Sequence, residues 1–410
     1  MKMNMRTMRN YWLSVAFLGG MSLLTACGGD DNGPTPPPPG GEGVTLQSGA
    51  TLQGDISANT SLVADGTYKL SGRYTVKAGA TLTIPAGVTI EAVDDQTIDY
   101  ILVEQGGKII AQGTAENPIV MTAELKQAGA WGGIHICGNA PTNAEGGVGS
   151  SEIGGATYGG NITDDNSGIL QYVRVEYGGY TITEDTEANG FTFYGVGSGT
   201  TVDHCVAYKG SDDGFEWFGG TVNASNLVSI NNSDDSFDWT EGWNGTVTNL
   251  VAYQAPANEL GYDCDCLIEA DNNENNFVST PVSHPTLNNL VLVGNGSDSE
   301  GVRLRRGTGV NINNGVFCNK GEILKVESPQ TQASLTDGGS KITNTTISGT
   351  MINEAITAEN DPDGMYTGKE WDNADFLASA GNRVDTNLSL SFDDIKAQCT
   401  WLTGAWAEVE

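Results

Sequence analysis

The segment Ser211-Asp-Asp-Gly-Phe-Glu-Trp217 returns 22 residues later as Ser233-Asp-Asp-Ser-Phe-Asp-Trp239. Each copy is followed by a Gly-Thr-Val start, at Gly220 and Gly245, and then by a second short apolar run. Repetition at a period of about 20 to 50 residues predicts a solenoid, in which each unit buries its face only against its neighbours. Such a repeat also stacks acid on acid, a cost that something else in the fold must offset.

The apolar runs align in two columns. In the first, apolar residues flank one middle position: Phe191-Thr192-Phe193, Phe215-Glu216-Trp217, Phe237-Asp238-Trp239, Ile268-Glu269-Ala270, Val302-Arg303-Leu304 and Leu324-Lys325-Val326. Strand alternation sends the flanking residues inward and the middle one outward. In the second column an asparagine opens each apolar strand, at Asn226, Asn249, Asn289, Asn314 and Asn344, with His204 in the same place one rung earlier. Short alternating runs split by Gly turns, such as Tyr74-Thr-Val-Lys and Thr81-Leu-Thr-Ile-Pro, extend the strand pattern toward the N-terminus. The fold class expected is all-β.

Asparagines in register resemble the asparagine ladder of parallel β-helices, in which stacked side-chain amides hydrogen-bond along one turn. The chain is identified as a member of the right-handed parallel β-helix, or pectin-lyase-like, superfamily. Within it, Ser-Asp-Asp-x-Phe-[Glu/Asp]-Trp, the acidic run from Ile268 to Glu274 and Leu304-Arg-Arg-Gly are similar to an uncharacterised family of bacterial envelope lipoproteins. The resemblance covers roughly residues 60 to 350. Its motifs specify a fold more than a function.

The N-terminus reads as an address. Lys2, Arg6 and Arg9 precede an apolar stretch from Tyr11 to Leu24 that is too short to span a bilayer. Leu23-Leu24-Thr25-Ala26-Cys27 resembles a bacterial lipobox, which implies lipidation of Cys27 and a membrane anchor. Residues 1–26 are therefore expected to be a signal peptide, 27–42 a Pro/Gly-rich spacer, 43–358 the β-helix and 359–410 a C-terminal cap. Asp30 and Asp31 after the cysteine resemble a surface-export signal, so the expected location is the outer membrane, facing outward.

Removing residues 1–26 takes three of the 19 Lys+Arg and none of the 51 Asp+Glu, leaving a formal charge of −35. Such a surface argues against nucleic acid as a partner and favours cations. The cysteines beyond Cys27 match no zinc spacing, and Cys205 and Cys318 sit inside apolar runs.

Adjacent rungs lie about 4.8 Å apart. Glu216, Asp238 and Glu269 should then stack on one outward face, with Asp213 and Asp235 one step aside. Two unit charges at that distance repel by about 3.5 kcal/mol at an effective dielectric near 20. A cation, protonation, or Arg303 and Lys325 at the column's end must compensate. Calcium suits a carboxylate cage best, because it takes roughly six to eight oxygens in irregular geometry.

Spacing shows where the solenoid is decorated. The interval from the asparagine column to the next outward position is 12 for Asn226 to Asp238 but 20 for Asn249 to Glu269. The extra residues, 254–266 and 271–285, form loops where a binding site is expected. Asp271, His284 and an exposed Trp243 in the preceding turn are the candidates there. Phe215, Trp217, Phe237 and Trp239 alternate inward and are read as core.

Two functions compete. One is a spacer-mounted surface rod that binds a glycan or an envelope protein with calcium support. The other is a calcium-dependent polysaccharide lyase or hydrolase. The resemblance to pectate-lyase-like enzymes implies calcium on a uronate carboxylate and Arg303 as the proton acceptor. Asp234-Asp235 is similar to the paired aspartates of β-helix hydrolases, but their Gly-His-Gly and Arg-x-Lys partners are missing, Arg303-Leu-Arg305 being the nearest approach.

Overall fold

The computed structural model describes residues 43–183, 186–366 and 370–409. The leader, the spacer and Cys27 lie outside the described residues. From Val44 onward the backbone winds through parallel strands in which each pairs with the strand one coil later. The pairings resolve into three stacks, so the molecule is a right-handed parallel β-helix, the hand that parallel crossovers take.

The first face runs through Thr81–Pro85, Lys108–Gln112 and the leading halves of the longer strands, with Thr201 opposite Asn223. The second takes the trailing halves, with Cys205 on Leu227 on Leu250 on Leu290. The third is the expected outward column, in register: Thr192 on Glu216, Asp238, Glu269, Arg303 and Lys325. Alternation puts the flanking side chains in the core. The rings of Phe191, Phe215 and Phe237 stack at centroid separations of 4.8 and 5.5 Å, and each is at most 1 % exposed.

Each corner between the first and second faces must turn within one residue, and it does so in the left-handed region. Asn226, Asn249, Asn289, Asn314 and Asn344 have φ between 52° and 67°, and His204 has φ 55°. Asparagine tolerates this conformation better than residues with larger side chains. The amides bond to one another: Asn249 Nδ2 donates to Asn226 Oδ1 at 2.8 Å, Asn289 to Asn249 at 3.0 Å and Asn314 to Asn289 at 2.8 Å. Asn344 leaves the series and donates to Asn313 Oδ1 instead. At the other end Asn226 reaches Asp203 Oδ1, which also accepts from His204 Nδ1 at 2.8 Å.

The C-terminal residues divide their work. Leu335, Trp371 and Phe376 join the main core, and Asp372 caps the short helix Asn373–Ala378. Residues beyond Leu388 lie along the second face, where Ile395, Leu402 and Trp406 pack over Val206, Val228 and Val251. Trp406 ends edge-on to His204, ring centroids 4.8 Å apart. An exposed apolar row on that face is thereby covered by the chain's own tail.

Candidate functional site

The third face carries a bowl of about 320 Å³. Its floor is the column Glu216, Asp238 and Glu269, closed at one end by Arg303 and Arg305. Each floor carboxylate is preceded three and four residues earlier by the turn that leads onto the strand. That geometry places Asp212 and Asp213, Asp234 and Asp235, then Asp265 and Cys266, in successive coils. The turns stack through their backbones, Gly214 N–H donating to Asp235 O and Ser236 N–H to Cys266 O. The repeated Ser-Asp-Asp is therefore a wall, and the repeated Phe-acid-Trp is the floor beneath it.

Two further acids reach the bowl from outside the column. Glu152 comes from the insertion between Ile134–Cys137 and Gly168–Glu176 and accepts from the Tyr194 hydroxyl at 3.3 Å. Glu187 comes from a hairpin, Tyr180–Thr183 paired with Thr186–Ala188, that forms a sheet of its own. Ten carboxylates thus line one bowl with two guanidiniums and Asn189, and none of the lining residues is apolar.

The acidic stretch of the outward face is largely withdrawn from solvent. Asp212, Asp213 and Asp235 are at most 6 % exposed and Glu216 is 9 % exposed. Burial raises the carboxyls of Asp213, Glu216, Asp235 and Asp238 well above the usual carboxylate range, and their like-charged neighbours add to it. Asp212 is pushed up to about 9 by burial and then by Glu187 and Asp234. Burial likewise takes Glu152 to about 7 and Asp234 to about 6.

Some of these oxygens are satisfied from within. Asp213 Oδ1 accepts the Asp235 N–H at 2.9 Å, Asp235 Oδ1 accepts the Cys266 N–H at 2.7 Å, and Asn189 donates to Glu216 Oε2. Others are orphaned: Asp212 Oδ2 and Asp238 Oδ1 are buried without a hydrogen-bond partner. A buried polar atom with no partner costs about 1–3 kcal/mol, more when charged.

The donor set suits a divalent cation. Asp213, Glu216 and Asp238 bring three carboxylate oxygens within 4.8 Å of one another, as do Glu187, Asp212 and Asp234. Hard oxygen donors, two of them orphaned, fit calcium. Glu269 stands apart. It lies within the same reach of Asp235 and Cys266, yet one oxygen pairs with Arg303 Nη1 at 3.1 Å and the other with Arg305. The two guanidiniums neutralise that carboxylate.

Arg303 is held on both sides, because its Nε also meets Glu327 Oε1 at 3.0 Å. Asp271 does not open a binding loop. It is 5 % exposed and accepts from Arg305 Nε at 2.8 Å and Arg306 Nη1 at 2.9 Å. Trp243, expected to be exposed, is fully buried. Its ring lies 4.5 Å from that of Trp217, and its Nε1 donates to Val222 O at 3.2 Å. The turn that carries it folds inward over the end of the aromatic stack. His284 is half-buried beneath this turn, its backbone N–H on Trp243 O, and does not line the bowl.

Asp212, Asp234, Asp265, Glu152 and Glu187 are not among the cation ligands expected from the sequence, Asp234 entering there only through its likeness to the paired aspartates of β-helix hydrolases. For the first two the signal was present, since the doubled aspartate repeats with the motif. Glu152 and Glu187 carry no register and only the path of their loops brings them in.

Among the described residues the six cysteines are free and buried. No curated protein and no solved structure matches the chain. A family model described as a pectate-lyase like beta helix domain matches residues 54–407. The solenoid of parallel strands agrees with that match: the chain belongs to the pectate-lyase like beta helix family.

Proposed function

We propose that the protein is a calcium-loaded β-helix that holds a segment of acidic polysaccharide against its third face. The observation that carries this reading is the all-polar bowl, in which ten carboxylates, four of them buried, confront two arginines. Most ligand pockets are largely apolar with a few polar groups. A bowl without apolar lining favours cations, and a cation held by part of its shell still attracts an anionic sugar. Asp213, Glu216 and Asp238 would hold it. The ion's chemistry there is neutralisation of charge on protein and glycan alike.

The chain's own residues have definable tasks. The Ser-Asp-Asp turns pre-position the wall oxygens, so little side-chain entropy is lost on binding. Arg303 and Arg305 mark the cationic end of the bowl and would orient a carboxylate. A lyase reading asks one of them to accept a proton. Each already serves two carboxylates, and arginine stays charged in proteins, so binding is favoured over elimination.

The location read from the leader completes the proposal: Cys27 would carry lipid, and the spacer would lift the rod off an outer membrane. The test of function is a glycan array of acidic and neutral polysaccharides, probed with and without calcium. Retention of uronate-type polymers only when calcium is present is expected. Equal retention in EDTA overturns the reading, and new absorbance at about 235 nm on incubation would replace binding with elimination.

A further inference from the structure

Two of the carboxylate triads in the bowl share no member. Asp213, Glu216 and Asp238 form one on the floor, and Glu187, Asp212 and Asp234 form another at the rim. Two ions can therefore be held at once without competing for a side chain. Asp234 also reaches Asp213 and Asp235 within the same distance, so the two positions adjoin through one wall residue. Charge argues in the same direction. Two guanidiniums and a single divalent ion offset four of ten carboxylates, whereas a second ion raises that to six.

The rim set differs from the floor in origin. Asp212 and Asp234 stand on successive coils, but Glu187 stands on the hairpin, which is not a member of the main sheet. The hairpin leaves the solenoid at Gly178, whose carbonyl accepts from Ser211 N–H, and returns at Gly190, whose N–H donates to Asp213 O. Its base is thus pinned on either side of the aspartate pair. An independent sign of a ligand sits at this spot. Asp212 is 3 % exposed, lines the bowl, and presents an Oδ2 with no hydrogen-bond partner.

We propose that the bowl holds two divalent cations, one on the floor at Asp213, Glu216 and Asp238 and one at the rim at Glu187, Asp212 and Asp234, and that the rim ion ties the hairpin to the solenoid. The inference rests on the cation reading of the bowl, but not on the glycan. The rim ion joins segments that only fold topology brings together, so loading the site also orders the edge of the face that a ligand meets.

The experiment uses the full-length protein and calcium alone, by equilibrium dialysis with radioactive calcium. Wild type should bind two ions per chain. Glu187→Gln and Asp212→Asn should each bind one, and Asp238→Asn should bind one. Amide exchange over Tyr180–Thr183 should slow on the order of tenfold with calcium in wild type and in Asp238→Asn, and not in Glu187→Gln. One ion in wild type, lost in Asp238→Asn and retained in Glu187→Gln, overturns the rim site while leaving the proposed function standing. No calcium bound to wild type overturns both. Unchanged far-ultraviolet circular dichroism across the variants separates lost ligands from lost fold.

Discussion

Replacing Asp238 by Asn should change the sign of its effect on stability with the calcium concentration. Asp238 lies in register between Glu216 and Glu269. Glu269 is neutralised by two arginines, so the uncompensated neighbour on the column is Glu216. Two ionised carboxylates one rung apart, about 4.8 Å, repel by about 3.5 kcal/mol at an effective dielectric near 20. Protonation limits that cost. The folded carboxyls titrate higher than the 3.8 and 4.5 of free aspartate and glutamate, at about 6 for Asp234, 7 for Glu152 and 9 for Asp212. Between those limits the folded chain binds more protons than the unfolded one. Without metal, stability should therefore fall as pH rises from about 4 to about 9.

At pH 8 in EDTA, Asp238→Asn removes a carboxyl that must either repel Glu216 or take up a proton on folding, and should stabilise the protein by about 1–3 kcal/mol. Calcium at a thousand times the floor site's dissociation constant should stabilise wild type through that ion by about 4.1 kcal/mol, and the variant should lose nearly all of this floor-site gain while keeping whatever the rim ion contributes. Urea unfolding followed by tryptophan fluorescence reads both states, with buried Trp217, Trp239 and Trp243 as reporters. An effect of the same sign in EDTA and calcium, or a wild-type curve indifferent to both, refutes the argument that the column is costly when empty.

Asn249→Ala should cost about 2–4 kcal/mol, from two amide bonds at about 0.5–1.5 each and a β-carbon at φ 67°. Asn249→Gly should be about 1 kcal/mol less damaging, because glycine is at ease in that conformation; a glycine variant no better than the alanine one would show that the left-handed corner is not the constraint. Cys27→Ser should move the protein from the membrane fraction to the soluble one, and retention on the membrane would remove the lipid anchor.

The periodicity of the sequence determined most of the solenoid. A side-chain period of two and a coil of 22 residues state which positions point inward, so the outward column from Thr192 to Lys325 and the asparagine corner are legible without coordinates. The repeat of Ser-Asp-Asp likewise announced that carboxylates would stack. Alternation, however, says only which way a side chain leaves its own strand. It does not say what lies over it. The outward face reads as solvated, and tertiary structure buried it beneath residues with no register of their own, Glu152 from an insertion and Glu187 from a hairpin. The same reason governs Trp243, which falls outside the strand pattern and yet folds onto Trp217 because the end of an aromatic stack needs a cover. Arg303 and Arg305 took Glu269 out of the acidic column because side chains from neighbouring coils meet across rungs. Sequence spacing sets the rungs, but only the closed structure decides which charges are paired and which remain for a ligand.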